Sequence, residues 1–162
     1  MFKFGKKRGG QVTAELMLIM PVFVLMIFFV LEYGNLAYHT VIVNHASYEF
    51  ARIGALVAVK KPSGRSDRTI ITQKIERAKQ SVFGSKAGSI SVNVKVENTG
   101  VDPMYPKHRH EDVVVTVTYP VHLLFPGTSF VLADEPRKKG IRKIKVVTRM
   151  PVEKAYLSAD KK

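Results

Sequence analysis

Apolar and polar positions follow three different periods along this chain, and each predicts a different kind of element. From Leu16 to Leu31 every side chain is apolar. At about 1.5 Å per residue this run makes roughly 24 Å of helix, short of the roughly 30 Å of bilayer hydrocarbon. Val12 to Ala14 and Tyr33 to Tyr38 lengthen it, so one membrane span is predicted over 11–34. Pro21 removes one ladder hydrogen bond within that span, which membrane helices tolerate because neighbouring groups re-satisfy the freed carbonyl. Past Glu32 the composition turns mixed, yet nothing breaks the chain before Lys61-Pro62-Ser63-Gly64. Leu36, Val43, Phe50 and Val57 recur every seven residues with Ile42, Ala46 and Ile53 beside them. That is one buried stripe, so the helix is expected to continue over 35–59 with Asn35, His39, Asn44 and Glu49 facing elsewhere.

The remaining periods are shorter. A second helix is predicted from Thr69 to Phe83, where Ile71, Ile75, Ala78 and Val82 share a face, Ser66 or Asp67 caps the start and Gly84 stops the end. Strict alternation from Ser89 to Glu97 puts Ile90, Val92, Val94 and Val96 on one side of a strand that Asn98-Thr99-Gly100 should end. A second strand, Asp112 to Val121, sets Val113, Val115, Val117 and Tyr119 against Thr116 and Thr118. Between them, Val101 to His110 with Pro103 and Pro106 is expected to be irregular. The apolar connection His122 to Pro136 needs cover. In a third strand Ile144, Val146, Thr148 and Met150 alternate with Lys143, Lys145, Val147 and Arg149, and its cationic face suits a sheet edge. The tail from Lys154 is expected to lie outside the fold. The sum is an α+β protein in which a long N-terminal membrane-spanning helix packs on a small antiparallel sheet of three or four strands.

Charge then orients the chain. Lys3, Lys6, Lys7 and Arg8 precede the apolar run, and positive charge beside a span marks its cytoplasmic end, which puts the domain over 60–162 outside. With no cysteine, that exported domain has no disulfides and no thiolate chemistry, and rests on its packed core. The net charge is +13 from 26 basic and 13 acidic residues; without the four leader cations it is 22 against 13, or +9. Such a balance favours acidic partners and also serves solubility.

The junction between leader and span carries the sharpest signal. Ordinary signal peptidase cuts after the apolar region, beside small residues, and Glu32-Tyr33-Gly34-Asn35 fits that poorly. Instead the basic leader over 1–10 ends in Gly10, with Glu15 five residues beyond and the apolar run retained. A carboxylate within hydrocarbon costs at least a few kcal/mol unless partnered, and such residues usually mark function. This layout resembles the type IV prepilin signal. Within that class Gln11-Val12-Thr13-Ala14-Glu15-Leu16, Glu32-Tyr33-Gly34, Ala46 and Ala51-Arg52-Ile53-Gly54-Ala55 resemble the TadE-like minor pseudopilins of the tight-adherence (Tad) pilus.

The resemblance implies a pilin-like fold and no enzymatic activity or cofactor. It implies cleavage between Gly10 and Gln11 by a prepilin peptidase, methylation of the new terminus, and Glu15 as the assembly residue that meets a neighbouring subunit's amine. Cutting after Gly9 would make Glu15 the sixth residue of the mature chain. Its implied partners are other pilins and pseudopilins, an inner-membrane assembly platform with its ATPase, and membrane lipid. The implied location is a bacterial inner membrane, crossed once with the N-terminus in the cytoplasm, and then a pilus used in adhesion.

Other chemistry is thin. Gly34, Ala46, Ala51 and Gly54 are small enough for close approach of another helix, or for packing against the protein's own sheet. His108-Arg109-His110-Glu111-Asp112 concentrates metal-ligand types, but Arg109 sits among them and a solvated loop is expected, with no metal. Glu15 and Glu32 are too far apart along a helix for acid and base work. Arg137, Lys138, Lys139, Arg142, Lys143 and Lys145, with Lys60, Lys61, Arg65 and Arg68, are candidates for binding anions. The alternative reading is therefore an unprocessed single-span protein whose basic outer domain binds anionic polymer or DNA, although no aromatic residues interleave with the cations as nucleic acid would favour.

Overall fold

Fifty consecutive residues, Gly9–Ala58, form helix α1 in a computed structural model that describes residues 9–58, 68–101 and 109–152. At 1.5 Å per residue the helix is about 75 Å long. Pro21 lies inside it without ending it. The helix starts two residues earlier than Gln11, so Gly9 and Gly10 carry helical backbone. The leader cations, the Lys60 to Arg65 loop with the Ser66 and Asp67 caps, Pro103, Pro106 and His108, and the tail from Lys154 lie outside the described residues.

Helix α2 (Arg68–Phe83) follows, then a 3₁₀ segment (Gly84–Ser89). Gly84 has φ +53°, the left-handed region where a side chain is strained, which is why a glycine stands at the stop. Strands β1 (Ser91–Val101), β2 (Arg109–His122) and β3 (Ile141–Pro151) form a three-stranded antiparallel sheet in that order. A four-residue helix α3 (Ser129–Leu132) lies between β2 and β3. The architecture is α+β, a long apolar N-terminal helix and a small sheet.

The chain groups into two compact units. One comprises residues 1–38 with 122–142, the other 39–121 with 143–162.

In the second unit the buried stripe of α1 meets α2 and the sheet. Val43, Ala46, Phe50 and Ala51 of α1, Ile71 and Ile75 of α2, Val94 of β1 and Val113, Val115 and Val117 of β2 are all buried. The β1 to β2 register pairs Val92 with Val117, Val94 with Val115 and Val96 with Val113, so β-branched side chains face one another along one side. An aromatic series runs through the same unit. Phe50 meets Phe83 edge-on at 6.3 Å, Phe83 meets Tyr119 at 5.9 Å, and His39 stacks on Tyr119 at 5.4 Å. His39 was expected to face elsewhere; its ring is instead half-buried, and burial together with the nearby Lys86 charge holds its pKa below the usual histidine value. Ser47, fully buried on α1, has its hydroxyl 2.7 Å from that of Thr148 on β3.

Three sequence expectations change. Strand β1 passes through Asn98 to Gly100 and reaches Val101, because an irregularity in the register between Asn98 and Gly100 absorbs the turn-forming residues without ending the ladder. Residues Arg109 to Asp112 are strand, and Glu111 and Asp112 are buried where a solvated loop was expected. Glu97 and Asp112 are cross-strand neighbours of like charge, and Arg149 on β3 reaches both. Val82, the last residue of the α2 stripe, is exposed.

Gly54 shows how close the packing is. A Cβ there would stand 2.9 Å from Val113 Cγ1, 3.3 Å from Ile71 Cγ2 and 3.4 Å from Ile75 Cδ1, all on buried side chains. Glycine in mid-helix costs about 1 kcal/mol relative to alanine, but overpacking a core costs about 1–3 kcal/mol. Gly54→Ala is therefore expected to destabilise the second unit by about 1 kcal/mol in chemical denaturation of the purified protein. A gain in stability would mean that Val113 can move aside.

Candidate functional site

The segment that carried the sequence signal lies in the first turns of α1. Gly10 is exposed, and a Cβ on it would meet nothing within 4 Å. Glu15 is exposed, as are its apolar neighbours Val12, Leu16, Met17, Leu18 and Ile19. Among the described residues one helix is long and apolar enough to cross a membrane, and it is this one.

At the other end of the apolar run, Glu32 does something the sequence did not announce. It is 0% exposed. Its Oε2 accepts the backbone N–H groups of Leu124 and Phe125, each at 2.9 Å, while its Oε1 accepts Asn35 Nδ2 at 3.2 Å. The buried Thr128 hydroxyl lies 3.2 Å from Oε2 and 2.7 Å from the Phe125 carbonyl; with one proton it donates to one acceptor at a time, and the shorter contact is the carbonyl. A buried carboxylate costs several kcal/mol unless its lone pairs are met. Here three N–H donors meet them, so the helix holds a loop 92 residues away in sequence by that loop's own backbone. Phe28, one turn earlier, stacks on Phe125 at 5.4 Å, and a Cβ on Gly127 would stand 3.9 Å from Leu25 Cδ1.

The other candidates separate. Ala46, Ala51 and Gly54 are buried within the second unit, where their smallness lets α1 approach its own α2 and sheet. Gly34 is exposed, with nothing within 4 Å of a Cβ. Of the six cations, Arg137, Lys138 and Lys139 form one exposed 3₁₀ turn, and Arg137 donates to the Phe130 carbonyl at 3.2 Å. Arg142 is paired with Asp134 at 2.8 Å. Lys143 and Lys145 lie exposed on β3.

A family model described as TadE-like protein matches residues 10–52. The matched stretch holds Gly10, Gln11, Glu15, Glu32, Gly34, Ala46 and Ala51, and stops six residues before α1 ends. No curated protein and no solved structure matches the chain.

Proposed function

With a TadE-like segment at residues 10–52 as the premise, we propose that this chain is a minor pseudopilin that takes part in assembling or initiating a Tad-type pilus used in surface attachment. It enters the inner membrane through α1 with its N-terminus in the cytoplasm, and a prepilin peptidase cuts it between Gly10 and Gln11. An ATPase-driven platform then extracts it from lipid, and other pilins and pseudopilins replace the lipid around its apolar face. No step calls for catalysis by the chain itself.

The observation that carries this reading is the placement of Glu15, an exposed carboxylate beside the exposed apolar side chains Val12 and Leu16 to Ile19, one turn beyond the proposed cut. Removed from water, such a group is stabilised by an ammonium, and the freshly exposed amine of a neighbouring copy or partner pilin supplies one. The pair sets how far one subunit slides along the next.

The test joins a mass measurement to a fibre count. Protein extracted from membranes should begin at Gln11. Glu15→Ala should remain in the membrane at normal abundance while fibres fall sharply. Leaving one partner of a buried pair alone costs about 3–5 kcal/mol. At about 1.4 kcal/mol per factor of ten this is roughly a hundredfold or more. A chain that keeps Met1, together with unaltered piliation in the variant, would sink the proposal.

A further inference from the structure

The first compact unit joins two segments that the sequence keeps far apart, α1 up to Tyr38 and residues 122–142. From Leu123 to Ala133 there is no charged side chain. Leu124, Phe130 and Val131 are 69%, 75% and 67% exposed, although the sequence led us to expect cover for them. Apolar side chains left bare in this number call for something other than water.

What they meet follows from where the loop sits along α1. Glu32 holds its near end, Phe125 lies against Phe28, and Gly127 lines one groove with Leu25. Leu25 is seven residues before Glu32, about 10 Å further along the helix. Pro126 and Gly127 also line an open apolar groove of about 670 Å³ that continues along α1 past Val24 and Met20 to Leu16. If Leu16 to Leu31 is in hydrocarbon, a loop seated on Leu25 and Phe28 is in hydrocarbon too.

We propose that residues 123–132 form a second membrane contact, a short wedge that enters the outer leaflet beside the span and is held there by Glu32. The inference rests on α1 crossing the bilayer. Irregular backbone survives at that depth when its polar groups are met within the protein, and the N–H groups of Leu123 to Phe125 and Phe130 to Ala133 are so met. Leu123 N–H donates to Gly140, Leu124 and Phe125 donate to Glu32, and Pro126 has no N–H to satisfy. Phe130, Val131, Leu132 and Ala133 donate to carbonyls of 127–129. Gly127, at φ +85°, makes the reversal that turns the wedge back. After Ala133, Asp134, Glu135 and Pro136 come the exposed cations Arg137, Lys138 and Lys139, whose long side chains suit the boundary where a wedge in the outer leaflet would meet lipid phosphates. The occupant is therefore lipid: acyl chain for Leu124, Phe130 and Val131, headgroup phosphate for the basic turn.

The chain has no tryptophan, so one introduced indole reports its own surroundings. The full-length protein is reconstituted into phosphatidylcholine vesicles whose acyl chains carry bromine, which quenches indole on contact. Three single variants are compared: Phe130→Trp in the wedge, Phe23→Trp on the exposed face of the span, and Val147→Trp on the exposed side of β3. Leu124→Trp serves as a second probe of the wedge. The expected result is blue-shifted emission and quenching of Phe130→Trp and Leu124→Trp at least about half as strong as that of Phe23→Trp, with Val147→Trp unquenched. If Phe23→Trp is quenched while both wedge probes behave like Val147→Trp, the wedge is refuted and the span stands. Blue-shifted but unquenched wedge probes would mean that protein covers the loop, a second copy included, and would also refute it. If Phe23→Trp itself escapes quenching, span and wedge fall together.

Discussion

Replacing Glu32 with alanine releases the 123–128 loop while leaving the sheet folded. The substitution removes the acceptor for the Leu124 and Phe125 N–H groups. A buried donor left without an acceptor costs about 1–3 kcal/mol, so the two together cost roughly 2–6 kcal/mol. The loss is local, because none of the partners of Glu32 belongs to the second unit. Amide hydrogen exchange reads it directly. At about 1.4 kcal/mol per factor of ten, exchange at Leu124 and Phe125 should quicken by roughly thirtyfold or more. Amides of β2 should be unchanged. Glu32→Gln separates charge from shape: its carbonyl oxygen can still accept both N–H groups, but without ionic strengthening. Its cost should be about 1–2 kcal/mol, since hydrogen bonds to ions are roughly twice as strong as neutral ones. Unchanged exchange at Leu124 and Phe125 in the alanine variant would show that Glu32 does not hold the loop.

The second large effect lies in the other unit. Phe50 is the largest of the fully buried side chains and meets Phe83 edge-on. Phe50→Ala removes the ring and leaves a void among α1, α2 and β2, where the surrounding atoms relax only in part. Such truncations cost about 3–5 kcal/mol, a large fraction of a typical domain's stability of about 5–15 kcal/mol. Denaturation of the purified protein, followed by the near-ultraviolet signal of the aromatic series, should show a lower midpoint with the slope retained. Exchange at Leu124 and Phe125 should not change, the mirror image of the Glu32 result. A midpoint within about 1 kcal/mol of the parent would mean that Phe83 and Tyr119 collapse into the gap.

Much of this architecture could be read from local order. The α1 stripe of Val43, Ala46 and Phe50 repeats on a helix period, and the valines of β1 and β2 on a period of two, so each side chain announces its face with its near neighbours. Gly84 at a left-handed φ and the cationic edge of β3 belong to the same class. The junction at Gly10 to Glu15 needed no folding at all, because its signal lies in residue type and spacing beside an apolar run. Local reading failed where a partner lay far along the chain. The Asn98 to Gly100 turn signal lost to a ladder that β2 continues on the other side, and Glu111 and Asp112 were drawn into strand by the same pairing. His39 was assigned by helix face, yet Tyr119 eighty residues later decided its surroundings.

Glu32 marks the boundary most sharply. Sequence alone identifies it as the only acid between Glu15 and Glu49, at the C-terminal end of an apolar run. Nothing local says that two backbone amides over ninety residues away will converge on it, because main-chain donors are the same at every position and carry no signature of their own. Periodicity and composition were enough to establish a long apolar helix, a small sheet and a carboxylate near the start of that helix. Which small residues are spent inside the protein, which apolar ones stay outside, and what a buried acid holds were settled only when distant segments met, since burial and hydrogen bonding belong to pairs of residues.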